Sequence, residues 1–133
     1  MGLVHVAIRV KDLDESLKFY RYLGLRVMDR RSHMPGEKIV MLIDKSTGQR
    51  LNLMWYARDC KLYTPWKENG VELDHLMFNV KDAKKTYNAL LKKGMKPAME
   101  LREREFKGKK VSMGFIKDPN GIWVGIVSGL SLA

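Results

Sequence analysis

Two histidines stand in matching surroundings: His5 opens His5-Val-Ala-Ile-Arg-Val-Lys-Asp12, and His75 opens His75-Leu-Met-Phe-Asn-Val-Lys-Asp82. Imidazole offers two chemistries. Its neutral nitrogen binds Zn, Ni, Fe or Co, and it changes charge between pH 5 and 8, which suits a general base. Arg9 shares strand parity with His5, so it reaches the same face and could grip a carboxylate or phosphate by two parallel hydrogen bonds. Met77 has the parity of His75 and could line an adaptable apolar pocket beside it. His33, next to Pro35-Gly36, reads as an exposed loop residue, and Cys60, between Asp59 and Lys61, as an incidental thiol.

The elements that must position these residues repeat. An offset of 70 residues (5 to 75) also carries Val10 onto Val80, Lys11 onto Lys81, Asp12 onto Asp82 and Gly24 onto Gly94. Val4–Val10 is short and β-branched and reads as a strand. Asp12 is a helix N-cap with Glu15 three positions on, Leu13, Leu17, Tyr20 and Leu23 recur at helical spacing, and Gly24 stops the helix. In the second copy Asp82 is the cap, Ala83, Tyr87, Leu90 and Leu91 form the stripe, and Gly94 is the stop. Three extended segments follow each helix: 25–32, 38–44 and 50–55, then 96–104, 109–116 and 122–127, with turn residues between them. The expected fold is α+β: two paired βαβββ modules, 1–56 and 73–133, joined by a linker over 57–72 in a single domain. Neither module can bury much core alone, so the two sheets are expected to share a cup-shaped cleft.

The chain has 133 residues, 45% hydrophobic and 30% charged, a composition suited to a folded protein. One cysteine excludes an internal disulfide framework and suits a reducing, cytoplasmic setting. No apolar run is long enough for a membrane span. The formal charge of +10 is the unusual quantity. Much of it sits on the second helix (Lys81, Lys84, Lys85, Lys92, Lys93) and one hairpin (Arg102, Arg104, Lys107, Lys109, Lys110). Only Phe106 accompanies the hairpin, which is not the aromatic-bearing groove that nucleic acid needs. A small anionic molecule is the better partner.

The stretch HVAIRVKDLDESLKFYRYLGLRV, the His75 strand and FIKDPNGIWVGIV together resemble the vicinal oxygen chelate superfamily, which includes glyoxalase I, bleomycin-resistance proteins and extradiol dioxygenases. The resemblance covers nearly the whole chain and implies the paired-module cup. It also implies metal ligands from the first and last strand of each module. Those positions here are His5 and His75, then Asn52 where the family often has Glu or Gln, and Gly125 where it usually has Glu.

Two imidazoles and an amide leave a dication's charge uncompensated, so a divalent metal on His5, His75 and Asn52 would be held weakly. Alternation along a strand turns Glu72 and Asp74 away from His75's face. The family's missing Glu commonly serves as base, and His5 or His75 would take over that role. Asn52 can equally be a wall or substrate contact, and Met54 shares its parity. The expected activity is a glyoxalase-like enzyme, of lyase, isomerase or dioxygenase type, acting on a small anionic, oxygen-rich substrate. It would use catalytic His5 and His75, with Arg9, Asn52, Met54 and Met77 as substrate contacts. The alternative is a non-catalytic binding protein of the resistance type, which the basic charge disfavours for cationic drugs. A homodimer is expected, with the linker aromatics Tyr63 and Trp66 as candidate contacts.

Overall fold

The computed structural model describes residues 1–68 and 73–130. The chain divides into two compact units, Met1–Lys67 and Glu68–Ala133, which meet inside the stretch expected to be a linker. The first holds β1 (Val6–Arg9), α1 (Leu13–Tyr22), β2 (Arg26–Arg31), β3 (Glu37–Ile43) and β4 (Arg50–Tyr56). The second holds β5 (Leu76–Asn79), α2 (Ala83–Lys92), β6 (Pro97–Phe106), β7 (Lys109–Lys117) and β8 (Trp123–Ser128). Each is a four-stranded mixed sheet with one helix, ordered β1-β4-β3-β2 and β5-β8-β7-β6. The first strand of each unit pairs parallel with the last, and the remaining pairs are antiparallel. The fold is α+β, and the topology repeats as the sequence predicts.

The repeat extends to individual hydrogen bonds. Asp12 Oδ1 accepts from the Glu15 amide at 3.0 Å, and Asp82 Oδ1 accepts from the Lys85 amide at 3.1 Å. Each bond satisfies a first-turn N–H that has no partner within the helix. At the other end the Gly24 amide donates to Arg21 O and the Leu25 amide to Tyr20 O. Seventy residues later Gly94 donates to Leu91 O and Met95 to Leu90 O. Both glycines sit at positive φ, +98° and +89°, where a side chain would be strained.

Core formation follows alternation. In the first unit Ile8, Val40, Leu42, Leu51 and Leu53 are buried with Leu17 and Tyr20 of α1. In the second, Ile116, Val124 and Ile126 are buried with Ala83, Tyr87 and Leu90 of α2. The Tyr87 ring lies over Gly114 so closely that an added Cβ there would stand 3.0 Å from two ring carbons. The Tyr87 hydroxyl donates to Met99 O at 3.1 Å. With these strand residues committed to the helix side, residues of opposite parity are left on the other face of each sheet. That face carries the candidate site residues.

Candidate functional site

In the first unit, register places Ala7 opposite Asn52 and Arg9 opposite Met54, and β3 sets Met41 and Ile39 beside that pair. His5 precedes Ala7 by two residues at the strand entry and is exposed. Asn52 is 6% exposed, and its Oδ1 is buried without a hydrogen-bond donor. A buried carbonyl without a donor is costly, so this atom is poised to accept from a group brought to it.

Arg9 is held by the chain itself. Its guanidinium donates to Thr64 Oγ1 and to Thr64 O, and its carbon lies 5.5 Å from the ring centres of both Tyr56 and Tyr63. These contacts tie the segment after β4 back to β1. Burial, reinforced by the charge of neighbouring Glu37, raises the Tyr56 hydroxyl above its ordinary value, and Cys60 adds to this while Arg9 opposes it. Glu37 is buried and accepts from the His33 amide at 2.9 Å. His33 therefore belongs to the turn before β3, and Tyr63 is engaged within its own unit.

In the second unit, residues of one parity form a continuous face. Met77 pairs with Gly125, Gly125 with Phe115 and Phe115 with Met99. Trp123 precedes Gly125 by two residues and pairs with Lys117. His75 lies at the entry to β5, its ring 5.2 Å from Phe115 in an edge-on arrangement, and Phe115 is 5.9 Å from Trp123. His75 Nδ1 is 2.6 Å from Asp74 Oδ1. Strand alternation does not turn Asp74 away from His75, because β5 begins only at Leu76 and residues 74 and 75 are not bound to strand geometry. Glu72 lies outside the described residues. Sequence reasoning set Asp74 aside and missed Phe115 and Trp123. The parity of Gly125 would have marked Trp123, but nothing in the spacing marked Asp74.

Donor chemistry tests whether these residues fit a divalent metal. Among the described residues, no group of three or more His, Cys, Asp and Glu side chains converges as a metal site. At Gly125 an added Cβ would stand 2.6 Å from Met77 Sδ, 2.7 Å from Met77 Cε and 3.0 Å from a Phe115 ring carbon. A thioether and an aromatic ring fill the room that a ligating carboxylate would need. With no side chain at Gly125 and only a neutral amide at Asn52, the residues present do not supply the donor set of a four-ligand metal centre.

Two βαβββ units of one strand order, each entered by a histidine, define a repeated-module protein whose candidate site residues lie on the sheet faces away from the helices. Residues 2–126 match the model of the Glyoxalase/Bleomycin resistance protein/Dioxygenase superfamily, and the chain belongs to that family. It is 28% identical over 137 residues to a lactoylglutathione lyase of Haemophilus influenzae, covering 98% of this chain and 95% of that protein. A glyoxalase family protein from Bacillus cereus superposes with a TM-score of 0.76 at 19% identity, covering 97% of this chain and 94% of that one. The trypanothione-dependent glyoxalase I of Leishmania major superposes at 0.72 and 22% identity, covering 96% and 86%. At these identities the two structures speak to the fold alone.

Proposed function

We propose that the protein is a glyoxalase-like enzyme of the lyase or isomerase type that moves a proton beside a carbonyl in a small anionic, oxygen-rich substrate. The observation that carries this reading is the 2.6 Å contact between His75 Nδ1 and Asp74. A proton on Nδ1, donated to the carboxylate, leaves Nε2 with its lone pair free to take a proton from carbon. When the imidazolium forms, the carboxylate stabilises it, and the same Nε2 returns the proton to the neighbouring carbon. On the first unit, His5 is a further candidate imidazole, and Asn52 Oδ1 is an acceptor for a substrate hydroxyl. Met54 and Met77 are apolar contacts, and Arg9 contributes through the donors that Thr64 leaves free. The step relies on these side chains, because the donor set does not suit a metal.

The lactoylglutathione lyase relative supports the substrate class, since lactoylglutathione is an anionic, oxygen-rich thioester. The net charge of +10 supports it too. No described helix is long and apolar enough to cross a membrane, and we place the protein in the cytoplasm as a homodimer. The second reading is a non-catalytic small-molecule binder, favoured by Met77 and Phe115 standing where the family's carboxylate would be.

Turnover of the hemithioacetal of methylglyoxal and glutathione separates the two readings. Activity in the wild type that falls with His75→Ala and with Asp74→Asn supports the enzyme. Binding of the conjugate without turnover supports the binder.

A further inference from the structure

The second unit's face carries more than His75. Met77, Met99 and Trp123 are large hydrophobic residues that remain 40%, 43% and 37% exposed, and register gathers all three around Phe115. Apolar surface gathered in this way marks a binding site more often than scattered residues do. The charges along β6 and β7 then sort by face. Arg102 pairs with Met113 and Arg104 with Val111, and Lys109 shares the parity of both partners, so all three cations lie on the Phe115 face. The acids turn the other way. Glu103 pairs with Ser112 and reaches Lys110 at 3.7 Å, Glu105 pairs with Lys110, and Glu100 lies near enough to Tyr87 of α2 to raise its hydroxyl's pKa. Among the described residues, Arg102, Arg104 and Lys109 have no ion-pair partner.

Phe115 and Arg102 are diagonal neighbours, whose backbones lie roughly 7–8 Å apart. A small molecule spans that distance. We propose that this face binds an aryl acid, its flat ring seated on Met77, Phe115 and Trp123 and its anionic group held by Arg102 and Arg104. This deepens the proposed function by naming a substrate class, and it rests on His75 marking the reacting end of the same face. A thioether and aromatic floor favours a flat, polarisable ring. Two guanidiniums with no acid on their face favour an anion.

The test is titration of the whole protein with 2-naphthaleneacetate and its neutral counterpart 2-naphthaleneethanol, followed by calorimetry and NMR. The acid should bind with a dissociation constant of about a millimolar or tighter. The alcohol should bind roughly tenfold more weakly. Trp123→Ala should weaken both probes, and Arg102→Ser with Arg104→Ser should erase the preference for the acid while leaving the alcohol unchanged. The arginines lie on an exposed strand, so that variant keeps the fold even if Trp123→Ala does not. The proposal is overturned if neither probe binds at several millimolar, or if the preference survives loss of both arginines. It also fails if the face is a contact with a second copy, with Trp123→Ala splitting a dimer that neither probe disturbs. Naphthaleneacetate binding by a protein that neither turns over the methylglyoxal–glutathione hemithioacetal nor exchanges its proton would overturn the catalytic reading and leave this one standing.

Discussion

The Tyr87 ring packs on Gly114, two of its carbons 3.0 Å from where a Cβ would be, while its hydroxyl donates to Met99 O across the same sheet. One aromatic residue of α2 thereby fixes the helix to the strands that carry the Phe115 face. Gly114→Ala should therefore destabilise the second unit. The methyl group would meet the ring and also the Leu101 backbone at 3.1 Å, and backbone cannot swing aside. A cost of about 1–3 kcal/mol is expected from overpacking, read as a lower urea midpoint at unchanged slope.

Tyr87 also sets a pH dependence. Burial, with a smaller effect from Glu100, raises its hydroxyl above the ordinary value of 10.0. A raised folded-state value means that the stability it contributes is fully present below pH 10 and is lost as pH rises through the folded value. Tyr87→Phe should cost about 1 kcal/mol at neutral pH through the lost hydrogen bond. The gap between variant and wild type should narrow above pH 10. Thermal melts across pH 7 to 11 would show it, and parallel curves would refute it.

Gly125 and Met77 should behave as a coupled pair. Gly125→Glu alone should lower stability and bind no added Zn or Ni, because Met77 and Phe115 occupy the space the new side chain needs. Adding Met77→Ala should recover part of the loss, with a coupling of about 0.5–3 kcal/mol in a double-mutant cycle. Metal content by mass spectrometry and denaturation of all four proteins would check both parts.

Arg9→Met should loosen the segment that follows β4. It removes the guanidinium that contacts the Tyr56 and Tyr63 rings and frees Thr64. Faster proteolysis within residues 57–67 is expected, with a stability loss of about 1–2 kcal/mol. Arg9→Lys should rescue only partly, because an ammonium group lacks the planar fork.

The repeat, both helix caps, both glycine stops and the strand count were legible in the sequence because each rests on local chemistry. Asp12 and Asp82 cap because a short carboxylate next to free amides does so in any context. Parity read correctly wherever a strand was present, as with Asn52 and Met54, or Met77 and Gly125. It failed at Asp74, where the strand had not yet begun and two adjacent side chains could meet. The surroundings of Arg9 were hidden for a different reason. Thr64 is 55 residues away, and no local pattern reports which loop will cover a strand. The sorting of acids and bases across β6 was written in the alternation of Arg102, Glu103, Arg104 and Glu105. It becomes readable only once Met113 and Val111 show which face each pairs with.

The most direct test of the central claim is α-proton exchange in D2O, followed by NMR, on protein dialysed against a chelator, with the methylglyoxal–glutathione hemithioacetal as substrate. Deuterium should enter the carbon beside the carbonyl, and His75→Ala should slow this roughly 100-fold or more. Asp74→Asn should slow it by a smaller factor without changing substrate affinity. Exchange that proceeds equally well in His75→Ala, or that returns only when a divalent metal is restored, would contradict the account.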